Sequence, residues 1–172
     1  MIRRLAFAAA LALLLPACGF QLRSALVLPA DLGPVKVVSG DPYSALAQSL
    51  TNSIERAGAT IAEDDAEGVA ELRIVSERWA TIPIAMDEVG RAQEFSLRYA
   101  VIFQVLGAGG GELVPQQVIE LSRDYVAPPV DSIGRESEAE LIGRELRRDM
   151  AASVLRRVDA VVRQRGAAPA AR

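Results

Sequence analysis

The chain has no histidine, one cysteine and one lysine among its 172 residues. Each scarcity removes a class of chemistry. Without histidine there is no Ser-His-Asp triad, no Cys-His dyad and no His-ligated metal site. The single thiol, Cys18, can close no internal disulfide and build no Cys-rich zinc site. Lys36 stands alone and no GxxxxGK[ST] occurs, so a Walker-type phosphate loop is absent and Schiff-base catalysis has one residue to draw on. Catalysis would have to rest on carboxylates, Arg, Ser and Tyr. Glu120, Asp124, Asp131, Glu136 and Glu138 could supply a carboxylate pair of the glycosidase kind. Nothing in the sequence sets a cleft or a raised pKa for them, and surface pairing with nearby Arg accounts for them better. The chain reads as a non-enzyme, with no cofactor and no metal.

The N-terminus carries the clearest address. Met1-Ile2-Arg3-Arg4 is a basic start, and Leu5 to Leu15 is an apolar run that ends at Pro16-Ala17-Cys18. A helix needs about 20 apolar residues to span a bilayer core, so this run is too short for a stable span. Basic start, short apolar core and small residue before the break describe a secretory signal over residues 1–17. Leu15-Pro16-Ala17-Cys18 also resembles the bacterial lipoprotein signal. That resemblance implies a diacylglycerol on the sulfur of Cys18, which becomes the acylated N-terminus. Gly19 follows it where Asp would signal inner-membrane retention in enterobacterial lipoproteins, which points to the outer membrane.

Charge is uneven along the remainder. Residues 18–134 hold 8 basic and 16 acidic groups, while residues 135–172 hold 9 arginines and 6 acids. A basic C-terminal segment on an acidic body suggests a local anion-binding surface, not general nucleic-acid affinity. The interleaving of Arg and Glu there also suits a solvated helix.

The periodicities predict β-α-β-β-β-α. Val35–Ser39 is a short β-branched strand. Asp41-Pro42 opens a helix with an apolar stripe at Tyr43, Leu46, Ala47, Leu50, Ile54 and Ala57, and Gly58 closes it. Glu63 to Gly68 is an acidic loop whose spacing lacks the EF-hand pattern, so solvation explains it better than calcium. A strand runs from Ala70 toward Trp79 and Ile82, and Pro83 to Ala92 is expected as a loop. Phe95, Leu97, Tyr99, Val101, Phe103 and Val105 alternate with mostly polar neighbours, the mark of a long strand with one buried face. Gly107 to Gly111 turns it into a return strand, Val114–Val126. Ser137-Glu138-Ala139-Glu140 reads as a capping box for a last helix over Glu138–Arg163. The expected architecture is an α+β sandwich, with two helices packed on one face of a four-stranded mixed sheet. The domain spans 18–165, with an irregular tether at its start and a disordered-looking tail over 166–172.

Three arginines stand out as anion ligands: Arg91, Arg123 and Arg135, each placed in or beside a loop at an element boundary. Arg holds its charge and binds phosphate or carboxylate bidentately. Arg135 is expected just before the last helix, where the helix dipole adds to its pull. Pairing of Arg135 with Glu136 or Glu138 is the plain alternative.

Cys18-Gly19-Phe20-Gln21-Leu22-Arg23 is similar to the mature start of the LPS-assembly lipoprotein family, LptE. Ser39-Gly40-Asp41-Pro42, Gly90-Arg91-Ala92-Gln93-Glu94-Phe95, Arg123-Asp124-Tyr125 and the Glu/Leu/Arg-rich last helix extend the likeness over about residues 1–162. The resemblance implies two helices on a four-stranded sheet. It implies an outer-membrane lipoprotein on the periplasmic face that plugs and helps assemble the β-barrel LptD and binds lipopolysaccharide. Basic residues in the loop between the middle strands and before the last helix would contact the lipid. Arg135 matches the second position. Asp87-Glu88-Val89-Gly90 occupies the first, with Arg91 a few positions on. Two other readings stay open: an auxiliary lipoprotein of a lipid ABC transporter, and a carboxylate-based envelope hydrolase.

Overall fold

The computed structural model describes residues 33–126 and 132–167, with the side chains of 132–136 and 166–167 left out. The elements are β1 (Val35–Ser39), α1 (Ala45–Arg56), β2 (Ala70–Met86), β3 (Ala92–Leu106), β4 (Glu112–Val126) and α2 (Ser132–Ala167). The strands form one sheet in the order β1-β2-β3-β4. β1 lies parallel to β2, and the other neighbours are antiparallel. The expected order and class hold. Cys18, the tether up to Leu32 and residues 168–172 lie outside the described residues, and α2 carries the chain helically through Gly166 and Ala167.

The alternation in β3 decides which face is the core. Tyr99, Val101, Phe103 and Val105 are buried with Leu46, Leu50 and Ile54 of α1 and Leu146, Met150 and Val154 of α2 in a single cluster. Both helices therefore cover one face. Each such side chain contributes about 1.5–3 kcal/mol when fully buried. The other face carries exposed Arg98 and half-buried Ala100, Ile102 and Gln104. At about 1.5 Å per residue α2 matches the length of 15-residue strands rising about 3.4 Å each. It runs back beside β4 and reaches the β3–β4 turn, where the Arg165 guanidinium donates to the Glu112 carbonyl at 2.6 Å.

Four local expectations shift. The cap of α1 is Ser44, not Asp41: its hydroxyl accepts from the Ala47 amide at 3.1 Å. Asp41 instead accepts from the Tyr43 amide at 2.9 Å, an Asx turn that leads into the cap. Tyr43 thus precedes the helix and is 92% exposed, outside the stripe it was expected to join. β2 continues through Pro83 to Met86 and leaves only Asp87–Arg91 as the turn. Beyond Ile74 the strand has no β1 partner on its outer side, and its register slips between Pro83 and Ala85. A proline is tolerated at such an edge or bulge because no central ladder is broken. Finally, α2 begins at Ser132, so Ser137 lies within it and the capping box does not mark its start. Only Gly134 weakens the helix upstream of Ser137, at a cost of about 1 kcal/mol. Arg135 accordingly sits inside the first turn and not ahead of it.

A polar-aromatic knot ties both helices to the sheet. The Ser44 hydroxyl donates to the Glu77 carboxylate at 3.1 Å, which places that charge by the positive end of α1. The Tyr99 ring stacks on Trp79 at 3.8 Å between centroids, and Arg147 of α2 lies 5.2 Å from the centre of the Trp79 ring. The Tyr99 hydroxyl is fully buried with no hydrogen-bond partner; the Glu77 carboxylate is near but outside bonding geometry. Burial, then the charge of Glu77, pushes the phenol far above its usual range. An acid whose pKa rises on folding contributes stability below its unfolded value of about 10, and that stability falls by up to about 1.4 kcal/mol per pH unit above it. Tyr99→Phe removes the orphaned donor. It is expected to match or exceed the parent by about 1 kcal/mol at pH 8, and to lose less stability between pH 8 and 11. Urea unfolding at the two pH values checks this; equal pH slopes would exclude Tyr99 as the source.

Candidate functional site

The β2–β3 turn and the start of α2 lie at the same end of the sheet. Glu94 at the head of β3 pairs with Val126 at the end of β4. Five residues then lead to Ser132, and the six steps from Val126 span at most about 22 Å. The backbone therefore brings Arg91 and the first turn of α2, with Arg135, to one end. Met86 is 64% and Val89 73% exposed there, and Ile84 and Val126 are exposed beside them. Apolar and basic groups meet on this end.

Asp87 organises the turn. One of its carboxylate oxygens accepts from the Val89 and Arg91 amides at 3.0 and 2.8 Å. The other accepts from Arg91 Nε at 2.8 Å and from the Gln93 side chain at 3.3 Å. Gly90 supplies the left-handed backbone (φ 78°) that closes the loop. The Arg91 amide, then the Arg91 guanidinium and the Val89 amide, hold the Asp87 carboxyl below its ordinary range. The guanidinium engages Asp87 through Nε, and its terminal nitrogens have no hydrogen-bond partner among the described residues. Its side chain is 62% exposed. Arg91 is thus a positioned cation at the tip, not a free one.

Arg123 is placed differently from the sequence expectation. It lies within β4 and pairs with Asp149 of α2 at 3.0 Å. Glu120 pairs with Arg98 at 3.6 Å on the helix-free face, where Asp124 also lies. The acidic loop is tied back where Lys36 donates to the Asp64 carbonyl. Residues 127–131, including Asp131, and the side chains of Arg135 and Glu136 lie outside the described set. The knot around Glu77 and Tyr99 was not anticipated. Its one sequence signal was a glutamate on the same strand face as Ile74 once the slip at Val75 is counted.

A family model for LptE, lipopolysaccharide assembly, matches residues 32–158. The chain belongs to the LptE family. The LPS-assembly lipoprotein LptE of Photorhabdus laumondii is 30% identical over 143 residues, which cover 82% of this chain and 76% of that one. Its counterpart in Yersinia pestis is 30% identical over 142 residues, covering 82% and 68%. Among solved structures, lipoprotein B of Nitrosomonas europaea superposes with a TM-score of 0.67 at 25% identity, over 82% of this chain and 90% of that one. Rare lipoprotein B of Shewanella oneidensis gives 0.64 at 26% identity, over 72% and 92%. The LptE family comprises lipoproteins of lipopolysaccharide assembly and not enzymes. Among the described residues no helix is long and apolar enough to cross a membrane.

Proposed function

We propose that this LptE-family protein is an outer-membrane lipoprotein, acylated at Cys18, that docks in and helps assemble the LptD β-barrel. We also infer that it contacts lipopolysaccharide with the end of the sheet that carries Arg91 and Arg135. The observation that carries the lipid contact is that exposed Met86, Val89, Ile84 and Val126 share with Arg91 the end of the sheet from which the chain enters α2. A phosphorylated glycolipid offers both an apolar body and anionic groups, and this end offers a partner for each. Family membership supports the barrel partner, and the lipoprotein signal supports the anchor. The acidic body gives no broad attraction to an anionic lipid, so the contact is local.

Arg91→Glu and Arg135→Glu are each expected to weaken lipopolysaccharide binding about tenfold at low salt, since a charged hydrogen bond carries about 1.5–3 kcal/mol and these sites are screened. Binding measured on the purified chain at two salt concentrations checks this. Unchanged binding in both variants would remove this end of the sheet from the lipid contact. Co-purification with a large outer-membrane barrel from detergent extracts tests the partner. Recovery as a monomer, with the barrel folded elsewhere, would overturn it. Recovery instead with an inner-membrane ATPase complex would favour an auxiliary transporter lipoprotein.

A further inference from the structure

A groove runs along the outer edge of β4 beneath α2. β4 is the terminal strand of the sheet, and among the described residues no strand pairs with its outer side. Leu121, Ser122 and Arg123 form one wall; α2 forms the other, and the space between is about 350 Å³. Leu121, Leu146 and Ala152 give it an apolar floor. Its rim is charged. Arg123 is matched by Asp149 at 3.0 Å, whereas Arg156 donates only to the neutral Ser153 hydroxyl at 2.8 Å. Ser153 is itself anchored to the Asp149 carbonyl at 2.7 Å, so Arg156 is held toward the groove without a carboxylate partner among the described residues.

The geometry points to a strand-addition site for an extended peptide that bears an acidic side chain opposite Arg156. A free strand edge offers alternating amides and carbonyls to a further strand, and a flanking helix supplies the side-chain wall; peptide-binding domains use this pairing of edge and helix. The three strand residues give about 10 Å of edge, room for three or four extended residues. With two guanidiniums against one carboxylate, the groove keeps one positive charge for the occupant. The site does not depend on the lipid contact or on the identity of the barrel.

The test uses the full-length chain in detergent and the peptide acetyl-Thr-Val-Glu-Val-Thr-amide, followed by amide NMR and hydrogen exchange. Of the amides of Leu121 to Arg123, those directed away from β3 are expected to shift and to gain protection. A peptide with Lys for Glu should bind at least tenfold more weakly, and one N-methylated at alternate residues should not bind. Arg156→Glu, at an exposed position, should reverse the Glu-over-Lys preference, and Asp149→Asn should tighten Glu-peptide binding at least threefold. No binding at millimolar peptide, shifts confined to another strand, or a preference indifferent to Arg156→Glu would overturn the proposal. So would inorganic phosphate producing the same shifts and protection, which would make the groove a simple anion site.

Discussion

Phe103→Ala is expected to lower the free energy of unfolding by about 3–5 kcal/mol, the range for removing a buried aromatic ring. Phe103 is fully buried in the central strand β3, on the face that both helices cover. Ile74 and Gln117 flank it on β2 and β4, so the backbone on either side is pinned and the cavity cannot collapse freely. A domain of this size has roughly 5–15 kcal/mol in total, so the variant would keep only a fraction of its stability. The urea midpoint should fall sharply while the slope stays constant. Ile102→Ala provides the contrast. It is half-buried on the helix-free face, and a loss below about 1.5 kcal/mol is expected. Equal losses at the two positions would contradict a single covered face.

Cys18→Ser is expected to remove the protein from the outer-membrane fraction and to abolish incorporation of labelled fatty acid. Serine has no sulfur to carry a thioether-linked lipid. Each buried CH₂ of an acyl chain contributes about 0.8 kcal/mol, and two or more chains are needed for stable anchoring, so losing them all removes the membrane affinity. The consequence for docking is one of concentration. A tethered protein meets a membrane partner at an effective concentration that free diffusion does not reach, and losing the tether costs about 10²–10⁴ in apparent affinity without altering one contact. Barrel assembly should then fail at native levels and recover on strong overexpression. Unchanged incorporation of labelled fatty acid would show that Cys18 is not the anchor.

Some of this was legible because it is local. Alternation from Phe95 to Val105 can only be satisfied by a strand with one buried face, and it named the core residues Tyr99, Val101, Phe103 and Val105. Leu46, Leu50 and Ile54 at helical spacing did the same for α1. The errors fell where two local signals compete or a distant neighbour decides. Asp41 and Ser44 are both good caps, and only Ser44 also reaches Glu77 from a strand 33 residues away. Pro83 is a breaker in isolation, yet the short β1 leaves that stretch of β2 as an edge, where proline is harmless.

The chain by itself determined its fold class and its lack of histidine-based chemistry, because these follow from composition and from patterns within a few residues. It also determined that almost every fixed side-chain cation would be an arginine, since Lys36 is the only lysine. Tertiary structure decided which arginines are available. Arg123 is matched by Asp149, 26 residues on, and Arg91 is held by Asp87 at the tip of a turn. Arg156 is left facing a groove. Ion pairing depends on strand register and helix phase, and neither is fixed until the core has packed.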